Sequence, residues 1–332
     1  MVSYREGYNR PMSSYKKAYK WRRMSVLDGV DLKERWGAKI RDMVDEPLLK
    51  REPCVECTNS NGDDCRASSW AVENLLELTR LVGALQHQNP QCLLWFRGEH
   101  NRHSSATPKA CRDKNQWDTF LATSSWFDCV SGQGRLFSNR SELARWAILQ
   151  HYGVPTPLLD VTTSYRIATA FAFRKPEINN DTGKLKWSEN VGDSPHISVF
   201  ATPRPLDGIN IFPEASLCLV DLVAELPSHC LRPHVQRAGF LGLTDIVMAG
   251  LDHYEKPSKE EAKLDCVRIA RICFRQPDKF EALNIEHFFP PASRETTVGG
   301  KRDDMSGDYL LRALYELRPP KDGFPKYYWE DS

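Results

Sequence analysis

The sequence predicts an α+β fold. Three observations carry the prediction: helix-periodic segments are grouped before and between short strand-like runs instead of alternating strictly with them, no internal repeat is present, and 332 residues at 41% hydrophobic and 27% charged suffice for a real core. The net charge of +1 excludes a protein that binds polyanions over its whole surface, although a local patch stays open. No apolar run reaches the length needed to span a bilayer; the segment from Ile167 to Phe173 is among the longest. The basic, aromatic N-terminus lacks the apolar segment of a signal peptide. Ten scattered cysteines then read as free thiols in a reducing compartment, and the expectation is a cytoplasmic protein without a membrane.

Residues 1–68 form the first division, an extension followed by a cysteine-containing loop, with residues 69–332 as the folded domain. In the extension, Lys16, Lys17, Lys20, Arg22 and Arg23 surround Tyr19 and Trp21, a pattern that can neutralise phosphates and stack bases. Nucleic acid is therefore a candidate partner of the arm, against the simpler reading of a solvated tail. A helix is predicted over Lys33 to Asp45. In the polar loop Arg51–Ser69, Cys54 and Cys57 make a CxxC with Cys65 eight residues on, and His87 is a candidate fourth zinc ligand. No second CxxC or HxxxH follows at a recognisable distance, so cysteines of a plain loop compete with that reading.

From Ser69 onward, apolar residues at 72, 75, 76, 78, 81, 82 and 85 predict a helix, with Ser69 and Asn74 offering capping oxygens. After Asn89-Pro90, the run CLLWFRGEH reads as a buried strand that ends on Arg97, and residues 101–137 read as irregular. Ser141 caps a predicted helix that Gly153 and Pro155 end. Residues 156–164 read as a strand in which Asp160 and Thr162 alternate with apolar neighbours, feeding a helix capped by Ser164. Residues 174–195 read as a surface loop; HISVFATP, SLCLVDLV and CVRIARICF read as strands, and MSGDYLLRALYELRPP as a closing amphipathic helix.

Two segments resemble the FRG domain family. LWFRGEHNRHSSATPKACRD carries its Phe-Arg-Gly triplet as Phe96, Arg97 and Gly98, with Pro108 and Arg112 at the family's Pro and downstream Arg. The second signature matches at Gln150, His151, Gly153, Pro155, Thr156, Leu158, Leu159, Asp160 and Thr162. A looser third block is RPHVQRAGF, Arg232 to Phe240. Pro157 stands where the family has a basic residue, and Val161 where it has Trp. The resemblance makes residues 69–332 an FRG domain completed by C-terminal strands and a helix, and suggests a toxin or defence effector as one setting.

The order of elements is similar, by a weaker analogy of layout, to ADP-ribosyltransferases. That analogy implies a split mixed or antiparallel sheet with flanking helices, NAD as substrate and a macromolecular acceptor. Arg97 would be the first-strand residue, Thr162 and Thr163 the second-strand hydroxyls, and Phe171-Ala172 the helix pair. The cofactor-binding candidates are Arg97, Gly98, Gln150, Thr162 and Thr163; the catalytic candidates are Arg97, His151, Asp160 and Gln236. Arg97 has the planar fork that suits a diphosphate, or it pairs with Asp160 to fix two strands. His151 has a proton-transfer role or caps a helix end. The analogy demands a Glu where Gln236 stands, which leaves Asp160 as the carboxylate. The competing reading is a non-catalytic module that recognises a nucleotide or a protein partner through the same cleft. No phosphate loop of the GxxxxGK[ST] type and no HExxH occurs.

Overall fold

Short apolar runs with β-branched and aromatic residues supply most strands of one large sheet, and amphipathic segments supply the helices that cover it. The computed structural model describes residues 50–52, 68–90, 92–101, 105–131, 137, 140–173, 175–178, 185–188, 195–212, 216–251, 256–259, 261–275, 280, 294–298 and 301–305. The first half runs β1 (Lys50–Glu52), β2 (Ser68–Val72), α1 (Leu75–Gln88), β3 (Cys92–Glu99), a 3-10 turn (Lys109–Cys111), α2 (Lys114–Ser131), α3 (Glu142–His151), β4 (Leu159–Thr162) and α4 (Tyr165–Phe173). There follow β5 (Lys175–Ile178), β6 (Leu185–Ser188), β7 (His196–Pro203), β8 (Ile209–Phe212), β9 (Leu217–Asp221), α5 (Leu222–Glu225), α6 (Leu231–Gln236), β10 (Ala238–Leu243) and α7 (Thr244–Leu251). A second 3-10 turn (Leu264–Val267) leads into β11 (Arg268–Phe274), and β12 (Arg294–Val298) pairs with β13 (Lys301–Met305).

Nine strands form a mixed sheet in the order β1-β2-β11-β7-β3-β4-β10-β9-β8. The β2–β11 pair is parallel and every other neighbour antiparallel, which bears out the α+β class. Eight register pairs join β3 to β7, but a single one, Phe96 to Thr162, joins β3 to β4. The sheet opens at that seam. By register Phe96, Thr162, Ala238 and Phe240 share one face. There Phe96 packs with α1 and α4 through Leu78, Leu81, Ala168 and Ala172, and Phe240 packs with α2 and α3 through Phe120, Trp146 and Ile148. Trp95 lies in the opposite core with Leu159, Phe200, Leu219 and Leu241, covered by Ala106 and by Leu264 and Val267 of the second 3-10 turn.

Several expectations change. The first predicted helix begins later: residues 68–72 are strand β2, and Asn74 is the N-cap, accepting from the Glu77 amide at 3.0 Å. Strand pairing of Ser68–Val72 with β11 outweighs the helical period that Val72 appeared to extend. Arg51–Glu52 and Ser68–Ser69, read as loop, are strand. The irregular stretch contains α2, eighteen residues capped by Asp113, whose carboxylate accepts from the Gln116 amide at 2.8 Å. Its Ser, Thr, Asn and Asp content hides a stripe in which Trp117, Phe120 and Phe127 are buried. The expected loop 174–195 holds the β5–β6 hairpin. The run SLCLVDLV turns helical after Asp221, whose side chain caps α5, and Cys266 and Val267 belong to the second 3-10 turn and not to β11. The helix predicted over Lys33 to Asp45, the basic arm and the closing helix after Met305 lie outside the described residues.

Candidate functional site

β3 carries Arg97 and Glu99 two residues apart, and the period of a strand puts both on one face. Arg97 donates through Nη1 to the Asp160 carboxylate at 2.5 Å and to the Asp160 backbone carbonyl at 2.9 Å, and through Nε to Glu99 at 3.3 Å. The second Glu99 oxygen accepts from the Ser198 hydroxyl at 2.9 Å and lies 3.1 Å from His196 Nε2. Both of those residues come from β7, paired with β3 in register, Ser198 opposite Arg97 and His196 opposite Glu99. A polar chain therefore runs from solvent into the sheet, because side-chain exposure falls from 54% at Asp160 to 18% at Arg97 and 7% at Glu99.

Burial disfavours all three charges, and pairing overrides it. Against the desolvation that would raise it, the Arg97 guanidinium holds the Asp160 carboxyl below its usual range. Glu99 is also drawn well below the carboxylate range despite burial, by its bond to His196, the charges of Arg97 and His196, and Ser198. Desolvation would lower Arg97, but Asp160 and Glu99 raise it, so the guanidinium stays charged.

The rim is cationic. The 3-10 turn docks on the loop before β4, its Ala110 amide donating to the Thr156 carbonyl at 3.3 Å. Lys109 and Arg112 flank this turn three positions apart, a spacing that eclipses side chains on a 3-10 helix. Lys109 Nζ donates to the Gly153 carbonyl at 3.2 Å and Arg112 Nε to the Thr107 carbonyl at 3.2 Å. Desolvation lowers both cations, each also feels a neighbouring guanidinium, and Asp160 pulls both back up.

The other expected site residues divide. Thr162, buried, donates to the Gln236 carbonyl at 2.7 Å and accepts from the Ser164 amide at 3.1 Å, joining the second and third sequence blocks. Gln236 is buried as the last residue of α6, with Arg237 after it in the left-handed region at φ 47°. The Thr163 amide donates to the Arg237 carbonyl at 3.4 Å. Gln150 braces the turn after α3: its Oε1 accepts from the Thr156 amide and hydroxyl, each at 3.0 Å. Gly153, at φ 87°, makes that turn. His151 sits at the end of α3 with its ring edge-on to Tyr152 and Phe240, and burial together with Arg232 holds it neutral, well below the ordinary histidine range. Gly98 lies against α4, where a Cβ would stand 1.9 Å from the Ala168 carbonyl oxygen.

Glu99, Lys109, His196 and Ser198 are the members sequence reasoning missed. Glu99 had a signal, its two-residue spacing from Arg97; the β7 pair had none, because register alone brings it to β3. The cysteines considered for zinc, Cys54, Cys57 and Cys65, lie outside the described residues, and His87 is exposed near the end of α1. Among the described residues no group of three or more His, Cys, Asp or Glu could hold a metal ion, and no helix is long and apolar enough to cross a membrane.

Residues 93–181 match the family model of the FRG domain. No curated protein and no solved structure matches the chain. The matched stretch spans β3 to β5 and so holds Arg97, Lys109, Arg112 and Asp160, while β7, β10 and β11 of the same sheet lie beyond it. The seam between β3 and β4, with Arg97 across it, thus lies within the stretch, residues 93–181, that matches the FRG domain.

Proposed function

We propose that the chain is an ADP-ribosyltransferase-like enzyme that uses NAD as substrate, transferring ADP-ribose to a macromolecular acceptor or to water. One observation carries the reading: a half-exposed Asp160 carboxylate, held ionised by Arg97, stands at the seam of the sheet with cations beside it. Cleaving the nicotinamide–ribose bond sends the bonding pair to the nicotinamide nitrogen and leaves positive charge on the ribosyl carbon and ring oxygen. A fixed carboxylate near that carbon stabilises charge that appears only in the transition state. Asp160 suits this electrostatic part and makes a poor base, since its carboxyl sits below its usual range. The strand order also supports the reading, with an arginine strand, Thr162 on the next strand and a helix carrying Phe171-Ala172 after it.

The competing reading, a binding module without turnover, is favoured by Gln236, which is buried and brings no carboxylate. Nicotinamide release from NAD, followed by chromatography, separates the two. The enzyme reading expects release from the native chain and loss of at least tenfold in Asp160→Asn at unchanged fold. No release together with a thermal shift by NAD leaves the binding module; no release and no shift removes NAD from both.

A further inference from the structure

The three cations of the site are not equivalent. Arg97 has Nε and Nη1 taken up by Glu99 and Asp160, so most of its fork is turned toward the protein. Lys109 and Arg112 each make one hydrogen bond to a backbone carbonyl, which leaves Lys109 two of its three donors and Arg112 four of its five among the described residues. Among those residues neither has a carboxylate of its own, and Asp160, whose charge pulls on both, is already paired to Arg97. Two cations rise from one turn whose backbone is tied to the loop before β4 by the Ala110 amide on the Thr156 carbonyl, and the Arg112 side chain is itself held by the Thr107 carbonyl.

We infer that Lys109 and Arg112 form a phosphoryl-binding subsite, taking the diphosphate of a nucleotide, beside the Arg97–Asp160 pair. The inference deepens the proposed function and rests on it for the nucleotide, but not for the phosphoryl group itself. It moves the anion grip away from Arg97, the residue that the layout analogy assigns to it, onto the turn between β3 and α2. A planar guanidinium and an ammonium, both partly desolvated, together suit a doubly charged group better than a single carboxylate. An anion between them also offsets the repulsion that each feels from a neighbouring guanidinium, Lys109 from Arg112 and Arg112 from Arg97.

The test is calorimetric titration of the full chain with inorganic pyrophosphate and, separately, with ADP. Binding of pyrophosphate that weakens at least tenfold in Lys109→Gln and in Arg112→Gln, with Lys259→Gln unchanged, bears the subsite out; Lys259 is an exposed lysine outside the 3-10 turn. ADP that binds tighter than pyrophosphate assigns the group to a nucleotide; equal affinity assigns it to a terminal or free phosphoryl group. No pyrophosphate binding, binding that survives both substitutions, or an equal loss in Lys259→Gln overturns it. Far- and near-ultraviolet circular dichroism of each variant excludes loss by unfolding. Nicotinamide release that persists in Lys109→Gln and Arg112→Gln at unchanged KM also overturns the subsite and leaves the enzyme reading standing; pyrophosphate binding without nicotinamide release does the reverse.

Discussion

Arg97 bridges the seam that β3 and β4 leave open, donating from one nitrogen to both the carboxylate and the main-chain carbonyl of Asp160. The two ends of the pair differ in cost. Removing Arg97 leaves Glu99, 7% exposed, with His196 and Ser198 as its remaining partners among the described residues, and also frees a carbonyl at the seam. Removing Asp160 leaves Arg97 with Glu99 and access to water. Arg97→Ala is therefore expected to lower unfolding free energy by about 3 kcal/mol, within the range for breaking a buried pair. Asp160→Ala should cost about 1 kcal/mol, because its carboxylate is half solvated. Urea denaturation of both variants checks the order; equal losses would mean that Glu99 does not depend on Arg97.

Gly98 is required by proximity, not by backbone angle. A Cβ at this position meets the carbonyl of Ala168 at 1.9 Å and the amide of Ala172 at 2.7 Å, both backbone atoms of α4. Rotamer changes cannot relieve that clash, so α4 must move off β3. Gly98→Ala is expected to lose about 3 kcal/mol, at the upper end of overpacking costs. A melting temperature within a degree of the native protein would show that α4 is free to shift.

Much of this site is legible in the chain because its residues sit in local contexts that declare themselves. An arginine inside an apolar run must find a partner, and Asp160 on an apolar strand is the complementary case, so their pairing is one of the two readings that residue type and pattern alone support. Ser141 and Ser164 announce the helices they cap, and both accept the expected amides, at 3.2 Å from Ala144 and 3.4 Å from Ile167. What stays hidden depends on register or on packing. His196 and Ser198 reach Glu99 only because β7 pairs with β3, an event separated by about a hundred residues of chain. Helix α2 has polar spacers that local rules assign to turns, and its burial against α3 decides otherwise. Lys109 gains its place in the site only through the docking of the 3-10 turn on the loop before β4.

Two groups on α3 make stability depend on pH in opposite directions. His151 is held neutral by burial and by Arg232, so its folded pKa is below the unfolded one, and stability falls as pH drops below 6.5. Glu142 moves the other way: burial and then Asp128 raise it to about 7 from 4.5, so the stability it contributes is complete below 4.5 and is lost as pH rises through 7. Glu142 also occupies the first turn of α3, where the helix dipole favours the anion, which keeps the effect near 1 kcal/mol. Glu142→Gln is expected to gain about that much at pH 8 and nothing at pH 4. His151→Gln should flatten the acid limb between pH 6.5 and 5. Denaturant midpoints across pH 4–9 read both, and a Glu142→Gln profile parallel to that of the native protein would refute the shift.

Thiol protection reports how firmly the cationic turn is docked. Cys111 lies in that turn between Lys109 and Arg112, fully buried against Trp117 and Phe120, and burial pushes its thiol up to about 12. Cys92 is pushed up to about 11 and Cys218 to about 12 for the same reason, whereas Cys129 is exposed on α2. The thiolate is the reacting form, and at pH 8 a thiol near 12 is only about one part in ten thousand ionised. Native-state alkylation at pH 8, resolved by peptide mass spectrometry, should therefore label Cys129 well before Cys92, Cys111 and Cys218, with denaturant removing the order. Cys111 labelling as fast as Cys129 would mean that the turn detaches in solution, since its thiol is buried against Trp117 and Phe120 of α2. A turn that detaches could not hold two cations in place for a phosphoryl group, so the same measurement, repeated with pyrophosphate, should show Cys111 slowing further while Cys129 is unchanged.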